Sequence, residues 1–386
     1  MMRYAILLLI FTFSLGEASA QVLPGAYQTK EYLPMLKDKK VGIVSNQSSL
    51  IGRTHLVDSL LSSHINIIRV FAPEHGFRGK AEAGAHIANG KDPKTGLEVI
   101  SLYGKNKKPT PAQLDGIDIM VFDLQSVGLR FYTYISTLTY IMEACAEKHI
   151  PLIILDRPNP NGHYIDGPVL ESDCKSFVGL LPIPVVYGMT DGELARMING
   201  ESWLTDGITC DINIIKIKNY DHDTEYELPI KPSPNLPNFQ SVYLYASLCF
   251  FEGTPISIGR GTEKPFQHIG YPGYPQHQYS FTPKSIPGVS AHPKFENQIC
   301  YGIDLSNTYQ NISEKPHRLN LSYLIEFYQS YPKKEKFFNS FFKKLAGTSQ
   351  LEQQITNGLS ENKIRQSWQK ALNDFKRKRE KYLLYQ

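Results

Sequence analysis

Continuous apolar runs that end in polar residues constrain the fold of this 386-residue chain more than any other feature of its sequence. Four such runs lie in the first half of the chain, at residues 41–44, 65–71, 117–122 and 151–155. Each run has the length of a strand, and segments of helical length separate them. Strands that are apolar throughout and alternate with helices form a parallel sheet covered on both faces. The runs therefore predict an α/β protein built on a parallel sheet.

The segments between the runs carry helix signals. Residues 134–148 have apolar side chains at helical spacing. Thr190 followed three residues later by Glu193 is a capping-box pattern, which opens a second helix. Further strands are predicted at residues 98–102 and 212–217.

The length of the chain predicts two domains, because single hydrophobic cores usually stop growing near about 250–300 residues. Residues 231–273 are rich in proline, glycine and aromatic side chains, and a long irregular segment of this kind is usually functional or a linker. Beyond it, a strand near residues 299–305 and several helices indicate a smaller α/β unit. We predict an N-terminal domain at residues 21–235 and a connector with the smaller domain at residues 236–386.

The first 20 residues have the three parts of a signal peptide. Arg3 precedes an apolar stretch at residues 5–13, and a small-residue cleavage site ends at Ala20. The apolar stretch is too short to span a membrane. We expect cleavage near Ala20, export to the periplasm or the exterior, and no membrane span in the mature chain.

The charge of the chain indicates no nucleic-acid partner, since the formal net charge is only +4. Residues 331–386 nevertheless contain 13 Lys and Arg against 5 Asp and Glu. Solvated helix faces explain this basic end, and attraction to a polyanionic surface is the alternative.

Several motifs of common enzyme classes are absent from the sequence. The five cysteines show neither CxxC pairs nor a zinc-like spacing with histidines, so we predict no metal site and no cofactor. GxSxG, Walker A and HExxH sequences are also missing. A parallel sheet without nucleotide-binding motifs argues against a dehydrogenase or a kinase.

Polar side chains at the carboxyl ends of the predicted strands are the candidate functional residues, because ligands bind outside those ends of an open α/β sheet. Glu74 and His75 follow the second run, and Asp123 follows the third. Glu74 is the leading carboxylate for proton transfer, with an ion pair to Arg78 as the alternative. Asp123 is interpreted as a second acid or base, a ligand for a sugar hydroxyl, or a residue that fixes its loop.

Other strand-end residues suit substrate binding better than catalysis. Asp156, Arg157 and Asn159 follow the fourth run. The alternative to substrate binding is a structural role, in which these residues form a rigid turn and Arg157 pairs with Asp156. Asn46 and Gln125 follow the first and third runs.

Aromatic and charged residues outside the strand ends complete the set of candidates. Tyr132 would stack on a sugar ring, although aromatic residues at a helix start more often belong to the core. Glu252 and Arg260 would line the opposite wall of a cleft if the irregular segment folds over the strand ends. Solvated charges on a glycine-rich turn are the alternative for this pair.

Eight strings of the sequence resemble those of one known family, the NamZ-type exo-β-N-acetylmuramidases. The strings are VGIVSNQ (41–47), FAPEHGFRG (71–79), SLYG (101–104), FDLQSVGLRFYTYISTL (122–138), LDRPNPNG (155–162), YGMTDGELA (187–195), PSPNLP (232–237) and FEGTPISIGRGTEKPF (251–266). The resemblance covers essentially all of the chain after the predicted signal peptide.

The resemblance implies an enzyme that releases N-acetylmuramic acid from the non-reducing ends of peptidoglycan fragments. It also implies a Rossmann-like N-terminal domain, a smaller C-terminal domain and a site in the cleft between them. The glutamate of the PEHG motif, which corresponds to Glu74, is the catalytic residue that the resemblance implies. The implied mechanism uses the 2-acetamido group of the substrate as nucleophile, an exception to the two-carboxylate scheme.

Two further roles follow from the implied mechanism. One group assists the acetamide and another protonates the leaving oxygen, so Glu74 takes one role and Asp123, His75, Glu252 or a tyrosine takes the other. The lactyl carboxylate of muramic acid calls for an arginine, which can bind it through two hydrogen bonds. The candidates, with Arg260 preferred, are Arg78, Arg130, Arg157 and Arg260.

Two other functions stay open at the level of sequence. One is a non-catalytic protein that binds cell-wall glycan, and the other is an exported esterase or deacetylase that acts on the wall. The missing GxSxG motif and the missing metal-ligand spacing count against the second. Nothing in the sequence indicates the oligomeric state.

Overall fold

The structure of the protein is a computed structural model, described here for residues 20–78 and 89–385. The predicted signal peptide lies outside the described residues, except for Ala20.

Ten α-helices and twelve strands occur in the described part of the chain. The helices are α1 (Thr29–Leu36), α2 (Leu56–Ser62), α3 (Pro111–Leu114), α4 (Tyr134–Glu147), α5 (Asp191–Gly200), α6 (Phe239–Leu248), α7 (Ser322–Ser330), α8 (Phe342–Ala346), α9 (Gln350–Thr356) and α10 (Glu361–Arg379). The strands are β1 (Val41–Ser45), β2 (Leu50–Ile51), β3 (Thr54–His55), β4 (Ile67–Ala72), β5 (Gly90–Lys91), β6 (Glu98–Ser101), β7 (Ile119–Asp123), β8 (Leu152–Leu155), β9 (Ile212–Ile215), β10 (His268–Tyr271), β11 (Ser280–Phe281) and β12 (Cys300–Asp304).

A seven-stranded sheet in the order β5-β6-β4-β1-β7-β8-β9 forms the centre of the molecule. All neighbouring strands from β6 to β9 are parallel, and only the edge strand β5 runs antiparallel to its neighbour. Taken in chain order, the six parallel strands have the Rossmann arrangement 3-2-1-4-5-6. The predicted Rossmann-like parallel sheet is confirmed.

Both faces of this sheet are buried at its centre, which explains why β1, β7 and β8 are apolar almost throughout. Along β7, Ile119 and Val121 pack into one hydrophobic cluster, together with residues of α1 and α2. Met120 and Phe122 alternate with them and pack into a second cluster with α4 and α5. Because successive side chains of a strand point to opposite faces, only a continuous apolar run serves both layers.

The two predicted helices form where the sequence signals them. The helix predicted at residues 134–148 is α4. Helix α5 begins with the predicted capping box, in which the Thr190 hydroxyl accepts from the Glu193 amide and the Glu193 carboxylate accepts from the Thr190 amide. Two amide groups without helical partners are thereby satisfied.

The C-terminal part of the chain forms a smaller α/β unit, as predicted. A three-stranded antiparallel sheet, β10-β12-β11, packs with helices α6 to α10. The predicted irregular segment at residues 231–273 contains helix α6 and strand β10, so it is less irregular than its Pro and Gly content suggests. Helix α6 forms because Asn238 and Ser241 make a capping box and its apolar side chains are buried.

The basic end of the chain is a solvated helix face. Helix α10 buries a single stripe made of Ile364, Trp368, Leu372 and Phe375. This spacing of three and four residues leaves Lys363, Lys370, Lys376 and Arg377 toward solvent. Arg365 and Arg379, by contrast, bond to Asp166 and to the Gly188 carbonyl. Among residues 20–78 and 89–385, no helix combines the length and the apolarity that crossing a membrane requires.

Candidate active site

A cavity of about 550 Å³ lies between the carboxyl edge of the parallel sheet and the C-terminal unit. Its volume is in the range of sites that hold small molecules. The lining side chains are Glu74, His75, Tyr103, Phe131, Tyr132, Thr133, Tyr134, Phe177, Val178, Ser233, Asn235, Leu236, Tyr245, Cys249, Glu252, Arg260, Phe266, Val289, Ser290, Ala291, His292, Phe341 and Leu345. The predicted cleft between the two units is therefore present.

Glu74 and Tyr103 enter the cavity side by side because the sheet register places them at the same level. In the parallel pair β4–β6, Ala72 lies opposite Ser101. Glu74 and Tyr103 each follow two residues later. Their side chains are hydrogen-bonded, and burial, followed by the charge of Glu74, raises the pKa of the Tyr103 phenol. At neutral pH this phenol is therefore protonated and donates to the carboxylate.

The N-terminal end of α4 forms the next part of the same wall. The Thr133 hydroxyl donates to Glu74 Oε2 over 3.4 Å, and the Tyr134 hydroxyl donates to the Glu74 carbonyl over 3.5 Å. Asn46 in turn donates from Nδ2 to the Tyr134 hydroxyl over 2.7 Å. Two strand-end loops and one helix start thus converge on Glu74.

The backbone turns sharply directly after Glu74. His75 has φ +72° and Gly76 has φ +75°, so both lie in the left-handed region. A left-handed residue other than glycine is uncommon, and such residues concentrate at functional sites. In extended backbone, neighbouring side chains point in opposite directions. This turn brings both the Glu74 and the His75 side chains to the cavity.

The opposite wall carries an ion pair. Arg260 approaches Glu252 Oε1 from Nε at 2.7 Å and from Nη2 at 2.6 Å. The guanidinium also lies over the Phe266 ring, 5.1 Å from its centroid. Both charged side chains are half-buried and line the cavity, so the wall offers a cation and an anion to a substrate.

Asn235 adds an amide to this wall. Its Nδ2 donates to the Val289 carbonyl over 2.9 Å, which fixes the orientation of the side chain. Its Oδ1 has no hydrogen-bond partner in the part of the chain that the structure describes.

The structure brings five of the predicted site residues to the cavity, namely Glu74, His75, Tyr132, Glu252 and Arg260. Tyr132 is mostly buried, and its hydroxyl donates to the Pro232 carbonyl over 2.7 Å. The ring therefore joins the two walls and has little surface left for a sugar. The other predicted residues lie outside the cavity lining.

Asp123 and Arg157 form a buried ion pair with each other. Arg157 Nε and Nη2 donate to the two carboxylate oxygens of Asp123 over 2.6 and 2.9 Å. Both side chains are almost completely enclosed. Neither the predicted acid–base role of Asp123 nor the predicted grip of Arg157 on a substrate carboxylate fits this placement, because each group is consumed by the other.

Asp156 is also enclosed and satisfied by the protein. It accepts from the Thr190 hydroxyl at 2.7 Å, the Tyr385 hydroxyl at 2.7 Å and the Gly192 amide at 2.9 Å. Burial raises the pKa of the Asp156 carboxyl to about 6. Its role is to tie the start of α5 and the C-terminal tail to β8, and it does not bind substrate as predicted.

The predicted amide ligands cross-link loops instead of facing the cavity. Asn159 donates to the Met189 carbonyl and Gln125 donates to the Pro158 carbonyl, each over 2.8 Å. Asn46 supports Tyr134, as described above. Short polar side chains at strand ends satisfy backbone groups that the turns leave unpaired.

Arg130 is fully buried and bridges the two units of the protein. It donates to the carbonyls of Pro168 and Ile183 on one side and of Leu345 and Ala346 on the other, over 2.7–3.0 Å. Burial lowers the pKa of this guanidinium to about 9, so it stays charged at neutral pH. Gly347 has φ +74°, and a Cβ there would collide with Arg130. Arg130 is thus unavailable to a substrate.

Arg78 lies at the same sheet edge but faces other carboxylates. It forms ion pairs with Asp92 at 2.7 Å and Asp58 at 3.3 Å and stacks on Phe77. Burial opposes ionisation of Asp92, but the ion pair with Arg78 and hydrogen bonds from Thr95 outweigh it and lower the pKa of Asp92 to about 2. The predicted substrate contact of Arg78 is replaced by this acidic pair.

Tyr103, Thr133 and Asn235 are cavity residues to which the sequence analysis gave no role. Each lies inside a string that carries the family resemblance, which was the available signal. Residues 289–292 have no comparable signal, because they reach the cavity only through the folding of the C-terminal unit.

Comparisons with known proteins agree with this architecture over almost the whole chain. Residues 41–240 match the family model for the N-terminal part of exo-β-N-acetylmuramidase NamZ, and residues 243–385 match the model for its C-terminal part. The peptidoglycan β-N-acetylmuramidase NamZ of Bacillus subtilis (strain 168) is 40% identical over 375 residues, which cover 92% of this chain and 89% of the relative.

Two crystal structures of DUF1343 family proteins from Bacteroides fragilis have the same fold. One is 47% identical with a TM-score of 0.88, and the other is 29% identical with a TM-score of 0.79. Each comparison covers 95% of this chain and 99% of the solved chain.

Proposed function

The chain belongs to the exo-β-N-acetylmuramidase NamZ family, and from this membership we propose that Glu74 is the catalytic carboxylate that releases N-acetylmuramic acid from the non-reducing ends of peptidoglycan fragments. The protein is a glycoside hydrolase, a β-N-acetylmuramidase. One observation carries the catalytic assignment: Glu74 lines the cavity, whereas the other strand-end carboxylates, Asp123 and Asp156, are enclosed by protein partners.

The proposed chemistry is hydrolysis assisted by the substrate itself. The carbonyl oxygen of the 2-acetamido group attacks the anomeric carbon, and the bond from that carbon to the leaving oxygen breaks. Glu74 accepts the proton of the amide N–H as the cyclic intermediate forms. Water then attacks the anomeric carbon and gives one proton to the group that had protonated the leaving oxygen, while the restored acetamide takes its own proton back from Glu74. The reaction needs a single assisting carboxylate, and Glu74 supplies it.

Protonation of the leaving oxygen is the second role. Asp123 is removed from the candidates by its ion pair with Arg157, and Glu252 is engaged by Arg260. The hydroxyls of Tyr103, Tyr132 and Tyr134 are directed to Glu74 or to backbone carbonyls. We therefore assign the role to His75, which lines the cavity next to Glu74. Replacement by glutamine should slow cleavage of a natural disaccharide far more than cleavage of a nitrophenyl glycoside, whose leaving group needs no proton. Equal slowing of both substrates would remove His75 from this role.

Arg260 is the proposed ligand for the lactyl carboxylate of muramic acid. Of the four predicted arginines, Arg260 is the one among the cavity-lining residues, whereas Arg78, Arg130 and Arg157 bond to protein groups away from the cavity. Arg260 uses Nε and Nη2 toward Glu252, so its Nη1 remains for a carboxylate on the cavity side.

The proposed place of action is outside the cytoplasmic membrane. The signal-peptide pattern ending at Ala20 supports export, and peptidoglycan lies on that side. The molecular mass of the protein recovered from the periplasm or the medium tests this proposal, since cleavage near Ala20 would remove the predicted signal peptide. Recovery of the full-length chain in the cytoplasm alone would refute it.

Glu74→Gln is the decisive variant for the proposed activity. We expect the wild type to release both monosaccharides from the disaccharide of N-acetylmuramic acid and N-acetylglucosamine, and the variant to be slower by about 10²- to 10⁴-fold. The unfolding free energy should change by less than about 1 kcal/mol, because the side chain is only half-buried. Chromatography of the products separates the alternatives, since an esterase would release acetate or lactate and a binding protein would return the sugar unchanged.

A further inference from the structure

We propose that Tyr103 and Thr133 are positioning residues for Glu74, whose hydroxyl groups hold its carboxylate in the orientation that accepts the acetamide N–H. The inference rests on the proposed catalytic role of Glu74 and adds the groups that make this role possible. Two independent features of the structure carry it, one on each side of the carboxylate.

Tyr103 approaches Glu74 from the neighbouring strand. The pairing of Ala72 with Ser101 fixes the backbones of β4 and β6 relative to each other. The distance between the Tyr103 and Glu74 side chains is therefore set by the sheet and not by a long loop. The phenol is half-buried in the cavity wall and hydrogen-bonded to Glu74. Its ring lies 6.5 Å from the Phe177 ring, which supports it from the side. The donor is therefore placed by regular structure and held by packing.

Thr133 approaches from the start of α4. Its backbone already has helical dihedral angles, φ −69° and ψ −3°, and its side chain makes no capping bond to the first turn. The hydroxyl instead donates to Glu74 Oε2 over 3.4 Å. The start of the helix therefore presents this hydroxyl to the proposed catalytic carboxylate.

The helix itself adds to the same effect. The 14-residue helix α4 begins at Tyr134, next to Thr133, and directs its N-terminal end toward Glu74. The N-terminal end of a helix carries partial positive charge, which attracts a carboxylate. Two hydroxyl donors and a helix N-terminus all complement a group that accepts hydrogen bonds. This arrangement fits a carboxylate that takes the amide proton and does not fit one that protonates a leaving group.

Restricting the carboxylate matters because glutamate has three rotatable side-chain bonds. A misplacement of about 1 Å at a reacting group can slow catalysis about 100-fold. Two donors from different elements restrict the orientation of the carboxylate at the cavity wall.

The test compares single hydroxyl deletions with a matched control in the full-length protein. Tyr103→Phe and Thr133→Val each remove one donor, whereas Thr133→Ser retains the hydroxyl. Tyr140→Phe is the control, since the Tyr140 ring also packs on Phe177, at 6.3 Å, but does not line the cavity. The substrate is the disaccharide of N-acetylmuramic acid and N-acetylglucosamine.

We expect Tyr103→Phe to lower kcat by about 10- to 100-fold with KM within threefold, because a hydrogen bond to a charged group is lost. Thr133→Val should cost about threefold to tenfold, and Thr133→Ser should recover most of that loss. In both deletion variants the acidic limb of the pH profile of kcat/KM should move to higher pH, since a carboxylate that loses a donor takes up a proton more readily. Tyr140→Phe should keep the wild-type kcat and pH profile.

Three results would overturn the inference. They are a Tyr103→Phe enzyme with at least half of the wild-type kcat, a loss that appears in KM alone with an unmoved acidic limb, and an equal loss in Tyr140→Phe. A failure of the proposed function looks different, because then the wild type itself would not cleave the disaccharide. An inactive Glu74→Gln enzyme beside an unaffected Tyr103→Phe enzyme would refute only the positioning role.

Discussion

The two halves of one sheet edge carry similar residues and use them in opposite ways. At the ends of β4 and β6, Glu74 and Tyr103 face a cavity. At the ends of β7 and β8, Asp123 and Arg157 neutralise each other, and Asp156 is enclosed by donors. Carboxylates at one edge of a parallel sheet therefore serve the proposed chemistry in one half, and in the other half they hold the protein together.

The chain path after each strand makes the difference. After β4 the left-handed pair His75–Gly76 turns the backbone, so that consecutive side chains reach the cavity. After β8 the chain stays inside the molecule, where Asn159 and its neighbours bond to adjacent loops. A polar strand end thus indicates a ligand site only where the following segment leaves the side chain open to a cavity.

The largest expected effect comes from breaking the ion pair between Asp123 and Arg157, at the ends of β7 and β8. Arg157→Met leaves the buried Asp123 carboxylate without its cation, which should lower the unfolding free energy by about 3–5 kcal/mol. Chemical denaturation at pH 7 measures this loss. The double variant Asp123→Leu with Arg157→Met removes both charges and should recover part of it. Wild-type stability in Arg157→Met would show that the two halves do not differ as described.

The second effect concerns pH and the Asp156 carboxyl. Because its pKa is raised from 3.8 to about 6, the folded state holds a proton that the unfolded state releases. Unfolding free energy should therefore fall as pH rises between about 4 and 6, by about 3 kcal/mol for the full shift. The charge of Glu193 opposes ionisation of Asp156, and burial followed by the charge of Asp156 raises the pKa of Asp191, so both neighbours add to the same direction.

Denaturation curves at several pH values, for the wild type and for Asp156→Asn, isolate this contribution. The variant should lose stability overall but show a weaker decline with pH. An identical pH dependence in the two proteins would mean that Asp156 does not titrate as inferred.

The smallest of the three effects concerns Arg260, which lines the cavity. Arg260→Ala should raise KM for a chromogenic muramide by about 10- to 100-fold, through loss of a charge-assisted hydrogen bond. The methyl ester of the lactyl group should bind weakly to the wild type and be nearly insensitive to the substitution. Arg78→Ala, at the same sheet edge but paired with Asp58 and Asp92, is the matched control and should show no preference between acid and ester. Equal KM changes for acid and ester would exclude lactyl recognition by Arg260.

The sequence predicted the parts of the fold that depend on neighbouring residues. Continuous apolar runs became the buried strands, and the Thr190–Glu193 box opened α5, because burial on two faces and helix capping are local constraints. Helix α6 was missed, since the prolines and glycines around it suggested an irregular segment. The Asn238–Ser241 capping box was the local signal for it.

The site was less predictable because it depends on register and side-chain direction. Nothing near Asp123 in the sequence shows that its partner is Arg157, a residue 34 positions away. Tyr103 reaches Glu74 only through the pairing of β4 with β6, which sets two distant residues at one level. The family resemblance selected Glu74 correctly as a cavity residue, but it did not separate cavity arginines from buried ones.

The buried Arg130 has a consequence for how a substrate meets this protein. Its guanidinium is bonded to the backbone at Leu345, in one cavity wall, and its own backbone leads directly into Phe131 and Tyr132 in the other wall. Separating the walls would break several buried charge-assisted hydrogen bonds. The shape of the cavity is therefore built into the packing of the two units, and Arg130 opposes any motion that would open it like a hinge.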